Sequence, residues 1–129
     1  MAGRDTANAT GKTLQCETCK IAENLGLEVR TEVPVGRRIW GAKRRIDVVL
    51  KDPSTRKTLG IECKYQSVPG TAEEKLPAVL KDIAAWPIRG IVVFSGPGFS
   101  ENMKSYLHSS GLAVELIDLE EWIKLYFGL

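Results

Sequence analysis

Three side chains able to take part in hydrolysis, Asp47, Glu62 and Lys64, sit inside two short apolar runs, Ile46 to Leu50 and Leu59 to Tyr65. Between the runs stands Asp52-Pro53-Ser54-Thr55, where proline presets φ for a turn, so the stretch reads as a β-hairpin. A strand alternates its side chains between faces. That puts Ile46, Val48 and Leu50 on one face with Asp47 on the other, and separates Ile61, Cys63 and Tyr65 from Glu62, Lys64 and Gln66. With Pro53 to Arg56 as the loop, Asp52 pairs with Lys57 and Asp47 falls opposite Glu62. Directly opposed side chains have Cβ atoms roughly 4.5–5.5 Å apart, close enough for two carboxylates to repel. A divalent cation between them reverses the sign of that interaction, since hard cations take carboxylate oxygens. Lys64 adds a positive charge beside the pair, and Gln66, of the same parity, could orient water or contact a nucleic-acid backbone.

Positive charge is concentrated next to this hairpin. Arg37, Arg38, Lys43, Arg44 and Arg45 supply five of the 18 basic residues, which leaves 13 against 16 acidic residues elsewhere, a remainder of −3 behind an overall +2. A local basic patch carrying an aromatic residue, Trp40, is the footprint expected of phosphate-backbone binding. A chain of 129 residues with 43% apolar content is the size of one domain with one core.

The elements that must position these residues follow in order. Residues 1 to 11 have no period and are expected to be disordered, leaving 12–129 as one domain. From Thr13 to Leu25 a helical period places Leu14, Ile21 and Leu25 on one face with Thr18 and Ala22 beside them, and Gly26 supplies the stop. On that wheel Glu17 lies about 60° from the centre of the apolar stripe. Leu27 to Val35 reads as a first strand ending near Pro34. After the hairpin, Thr71 and Glu74 match a capping box for a helix up to Trp86, inside which Pro77 is expected to kink or restart the chain. Gly90 to Phe94 reads as a strand covered on both faces, Phe99 to Ser110 as a helix, Ala113 to Ile117 as a last strand, and Leu119 to Phe127 as a closing helix.

Asp47, fourteen intervening residues and then Glu62-Cys63-Lys64 resembles the signature of the PD-(D/E)XK nuclease superfamily, with Ile46 where the family name has proline. The order of elements agrees with the αβββαβ core of the restriction-endonuclease-like fold, an α/β architecture with a central mixed sheet flanked by helices. The resemblance implies that Asp47 and Glu62 hold a catalytic metal, joined by the backbone carbonyl of Cys63. It implies that Lys64 positions or activates the attacking water. It also implies Mg²⁺ as cofactor, with Mn²⁺ able to substitute, and matches Glu17 to the acid that many members carry on the first helix.

The expected activity is therefore that of a metal-dependent DNA endonuclease, with Arg37, Arg38, Trp40, Lys43, Arg44 and Arg45 against the DNA backbone. One such site cuts one strand, so a duplex cutter of this size is expected to act as a homodimer. The same chemistry would serve a Holliday junction resolvase, and a silent DNA-binding module would leave the acids as relics. Cys16 and Cys19 form a CxxC without two further ligands in recognisable spacing, and both lie within the helix, facing away from its core stripe. His108, near a helix C-terminus, reads as a surface cap. Gly96-Pro97-Gly98 lacks the further glycines and lysine of a phosphate loop, so no nucleotide cofactor is expected. Nor is a membrane span or a signal core present in the sequence, which points to an intracellular, cytoplasmic protein.

Overall fold

The apolar period from Thr13 belongs to a helix, α1 (Gly3–Asn24), whose backbone reaches further toward the N-terminus than the period itself. Among the described side chains of this helix, Leu14, Thr18 and Ala22, one turn apart, are the buried positions. The Thr18 hydroxyl is satisfied in the core by donating to the Leu14 carbonyl at 2.9 Å. At the end of α1, Gly26 takes φ +84°, and Leu27 N–H closes on the Ala22 carbonyl at 3.1 Å.

The computed structural model describes residues 3–37, 43–69 and 75–129. Five strands follow one another in space as they do in sequence: β1 (Glu28–Arg37), β2 (Lys43–Lys51), β3 (Thr58–Tyr65), β4 (Gly90–Ser95) and β5 (Ala113–Glu115). β1, β2 and β3 are antiparallel, while β3, β4 and β5 are parallel. Parallel neighbours need crossovers. These are α2 (Leu76–Ala84) and α3 (Glu101–Ser109), and α4 (Leu119–Phe127) closes the chain.

Two apolar layers result. On one face, Val48, Leu50, Leu59, Ile61, Ile91 and Val93 pack with residues of α1 and α4. On the other, Ile46, Val92 and Phe94 pack with residues of α2 and α3. Burying each such side chain contributes about 1.5–3 kcal/mol. β4 feeds both layers, as its unbroken apolar run predicts. Trp86 fits into a notch made by the cross-strand pair Gly60 and Gly90. A Cβ there would lie 2.9 and 2.4 Å from its ring carbons.

Several local expectations are refined. Pro77 occupies the first turn of α2, where its missing N–H costs nothing. The capping-box residues Thr71 and Glu74 lie outside the described residues. α3 starts at Glu101 rather than Phe99, capped by the Ser100 hydroxyl, which accepts from Met103 N–H at 3.1 Å. β5 ends at Glu115, and Leu116–Asp118 form a 3₁₀ turn that leads into α4.

Candidate active site

The hairpin turn fixes everything above it. Asp52 Oδ1 accepts from Ser54 N–H at 2.9 Å and from the Ser54 hydroxyl at 3.0 Å, and these bonds hold its carboxyl below the usual carboxylate range. Asp52 N–H reaches the Lys57 carbonyl at 2.9 Å. The pairs Lys51·Thr58, Leu50·Leu59, Val49·Gly60 and Val48·Ile61 follow. One step further, the same register would set Asp47 against Glu62. α4 pins this hairpin from the side, with Lys57 Nζ donating to the Tyr126 carbonyl at 2.7 Å and Tyr126 Oη donating to the Thr58 carbonyl at 2.9 Å.

Beyond Val48·Ile61 the ladder between β2 and β3 stops. β2 stays with β1 as far as the pair Val33·Ile46 and beyond, while β3 stays with β4 up to Tyr65·Ser95. The two strands therefore fork. In an antiparallel ladder, hydrogen-bonded pairs alternate with non-bonded ones. Counting from Asp52·Lys57, a continued ladder would bond the Cys63 N–H to Ile46. It donates instead to Asp47 Oδ2 at 2.9 Å. The Asp47 carboxylate has entered the fork. The Cys63 carbonyl leaves the same edge of β3 as its N–H and faces the same opening.

The electrostatics of the fork follow from crowding. Glu62 is pushed up to about 7, first by burial and then by the Asp47 charge, against the pull of Lys64. Lys64 Nζ stands 3.6 Å from Glu62 Oε2. Asp47 is also raised, by burial first; the Cys63 N–H opposes the rise, Glu32 adds to it, and Lys64 opposes it. Glu62 and Lys64 line a cavity of about 410 Å³ with Lys75, Val79, Asp82 and Trp86. Asp82 on α2 forms an ion pair with Arg44, Oδ1 to Nε 3.0 Å, which ties the start of β2 to that helix.

Asp47, Glu62, Lys64 and the Cys63 backbone are thus brought together. The Cys63 thiol is not part of the opening. It sits on the α1 side, 3.9 Å from Thr18 Oγ1, and is pushed up to about 12, chiefly by burial. Glu17 is exposed, and it is the neighbouring Thr18 whose side chain reaches Cys63 of β3. Gln66 is buried, with its side-chain Nε2 donating to the Gly98 carbonyl at 2.9 Å and its backbone carbonyl accepting from Gly98 N–H at 2.8 Å. It clamps the loop after β4.

Of the basic segment, Arg44 is engaged with Asp82 and Arg45 is exposed opposite Pro34. The backbones of Arg37 and Lys43 pair across the strands; Arg38 and Trp40, and the side chains of Arg37 and Lys43, lie outside the described residues. The cysteines are free. Contrary to the wheel, Cys19 packs against the core and its thiol is raised, chiefly by burial.

Two neighbours of the fork escaped the sequence reading. Asp82 carries no signal beyond its helical phase. Glu32 has the parity of a solvent-facing residue in a strand that reads Glu-Val-Arg-Thr-Glu-Val, and only the β1–β2 register brings it opposite Asp47. The expected strand alternation is also corrected: Ile46 does not share a face with Val48 and Leu50, but packs on the α2 side.

Among known proteins, the PD-(D/E)XK nuclease superfamily domain matches residues 6–126. No curated protein sequence matches the chain. The crystal structure of a protein of unknown function, AF1548, is similar with a TM-score of 0.53 at 21% identity, over 79% of this chain. This chain spans only 56% of that protein, and at this identity the likeness concerns the fold alone. Among the described residues, no helix is long and apolar enough to cross a membrane.

Proposed function

Because the chain belongs to the PD-(D/E)XK nuclease superfamily, we propose that it hydrolyses phosphodiester bonds in DNA at the fork between β2 and β3, with Mg²⁺ as its metal. The observation that carries this reading is the Asp47 carboxylate turned into the fork and held by Cys63 N–H at 2.9 Å, beside a Glu62 raised to about 7. Two acids kept together at the cost of mutual repulsion suit a cation.

The donor set fits a small hard ion. Asp47, Glu62 and the Cys63 carbonyl are all oxygen ligands, and among the described residues no three His, Cys, Asp or Glu side chains converge. Mg²⁺ characteristically takes one or two carboxylates and keeps several waters; Mn²⁺ shares the preference for oxygen. When bound, the metal supplies an acidified water and a counter-charge for the phosphate. The chain's own residues prepare that chemistry. Cys63 N–H fixes the Asp47 carboxylate, Lys64 carries a positive charge 3.6 Å from Glu62 where phosphate oxygens would gather, and the Arg44–Asp82 pair holds the start of β2 to α2. Exposed Arg45 and the rest of the basic segment would meet the backbone without reading bases. A double-strand cut by so small a domain would need two copies.

Purified protein incubated with supercoiled plasmid should nick it with Mg²⁺ and not with EDTA. Asp47→Asn, Glu62→Gln and Lys64→Ala should each slow nicking by about a hundredfold or more. Cleavage that persists in EDTA, or in Lys64→Ala, defeats the reading. A four-way junction in the same assay separates general cutting from cutting confined to branched DNA.

A further inference from the structure

The β1–β2 ribbon turns over at one point. Thr31 pairs with Val48, which packs on the α1 side, and Val33 pairs with Ile46, which packs on the α2 side. Residues two apart on one strand should share a face, and here on both strands they do not. No residue is inserted, because the register is the same on either side of the switch. The position skipped in the ladder is Glu32 opposite Asp47. There Glu32 adopts φ +53°, in the left-handed region, which non-glycine residues within a strand rarely enter and which persists only where its surroundings over-determine it.

We propose that Glu32 is a positioning residue for Asp47: its left-handed backbone rolls the ribbon over at the one pair where Asp47 must leave the sheet's alternation and enter the fork. In a regular β1 the Glu32·Asp47 pair would close, and Asp47 would project from the same face as Val49, toward α2. The Cys63 N–H would then regain its ladder partner at Ile46. With Glu32 turned, β2 rotates, Ile46 drops into the α2-side core, and the carboxylate between Ile46 and Val48 points along the sheet toward β3. The Glu32 side chain itself lies over a groove of about 510 Å³ between α1 and β1, with Thr31, Cys16, Cys19, Lys20 and Glu23, so it acts through the backbone and not by contact with a substrate. The consequence for catalysis rests on the nuclease reading above; the structural part does not.

The test compares Glu32→Gly and Glu32→Gln with Glu32→Val. Glycine enters the left-handed region freely and glutamine keeps the side chain's shape, whereas a β-branched residue resists that region most. The readouts are the amide shift and hydrogen-exchange protection of Cys63 N–H, with Asp47→Ala as the reference for a lost acceptor, and plasmid nicking across a Mg²⁺ series. Glu32→Gly and Glu32→Gln should keep the wild-type Cys63 amide and nicking rate. Glu32→Val should show the amide of Asp47→Ala and nick about tenfold more slowly or worse, as expected for one lost charge-assisted hydrogen bond. Should the valine variant not fold, Glu32→Thr carries the same β-branch and the same expectation. A wild-type Cys63 amide in a folded Val or Thr variant overturns the proposal, as does its loss in Glu32→Gly. If wild-type protein nicks nothing while the amide pattern holds, the nuclease reading fails and the positioning role stands; if it nicks and the pattern fails, the reverse is true.

Discussion

Glu62 makes the fork a measurable liability to the metal-free protein. Its carboxyl is pushed from 4.5 to about 7, by burial and by the neighbouring Asp47 charge, and its side chain is only 21% exposed. A carboxyl whose pKa rises on folding binds its proton more tightly when folded. Its contribution to stability is fully present below pH 4.5 and is lost as pH climbs through about 7. The rise from 4.5 to about 7 corresponds to roughly 3–4 kcal/mol at ~1.4 kcal/mol per tenfold change in proton affinity. With an unfolding entropy of about 2.1 cal/mol/K per residue, that is a fall in Tm of roughly 11–15 °C for a domain of this size. Thermal unfolding followed by circular dichroism in EDTA, from pH 4.5 to 8.5, tests it. Glu62→Gln should match wild type at the acid end and exceed it by most of that margin at pH 8.5. Mg²⁺ at pH 8.5 should raise the Tm of wild type and do little for Glu62→Gln, since binding to the folded state stabilises by mass action. A Glu62→Gln variant no more stable than wild type at pH 8.5, or one equally favoured at both ends, would refute the account of why Glu62 is strained.

Other consequences are simpler to check. With the Cys63 thiol pushed up to about 12, about one molecule in ten thousand carries a thiolate at pH 8, so mass-spectrometric alkylation should find exposed Cys16 labelled first and Cys63 last. Cys63→Ala should keep nicking activity, since only the backbone of Cys63 faces the fork. Gln66→Ala should lower stability by about 1–2 kcal/mol through the unmet Gly98 carbonyl, seen as a lower denaturation midpoint with the slope unchanged. Gly90→Ala, whose Cβ would lie 2.4 Å from a Trp86 ring carbon, should cost about 1–3 kcal/mol and shift tryptophan fluorescence.

What the sequence disclosed about the fork, and what it hid, separates along one physical line. The hairpin register was legible because a turn is local: Asp52, Pro53 and Ser54 fix the loop within a few residues, and counting outward then aligns Asp47 with Glu62. Element order was legible for the same reason, since each helix and strand declares its own period, as α4 does over Leu119–Phe127. Side-chain direction was lost wherever it depended on a neighbouring strand or helix. Ile46, Val48 and Leu50 keep perfect alternation in the sequence, yet the alternation breaks between Ile46 and Val48 because Glu32, on another strand, is left-handed. Glutamate carries no mark of that conformation, as a glycine would have. Gln66 has the parity of Glu62 and Lys64, but the loop at Gly98, 32 residues on, claims its amide. A wheel drawn for α1 alone set Cys19 outside the core stripe, while in the fold it packs at the edge of the core. Such departures mark where the sheet has been bent away from its default geometry, and the sharpest of them falls at Asp47, the acid on which the proposed chemistry turns.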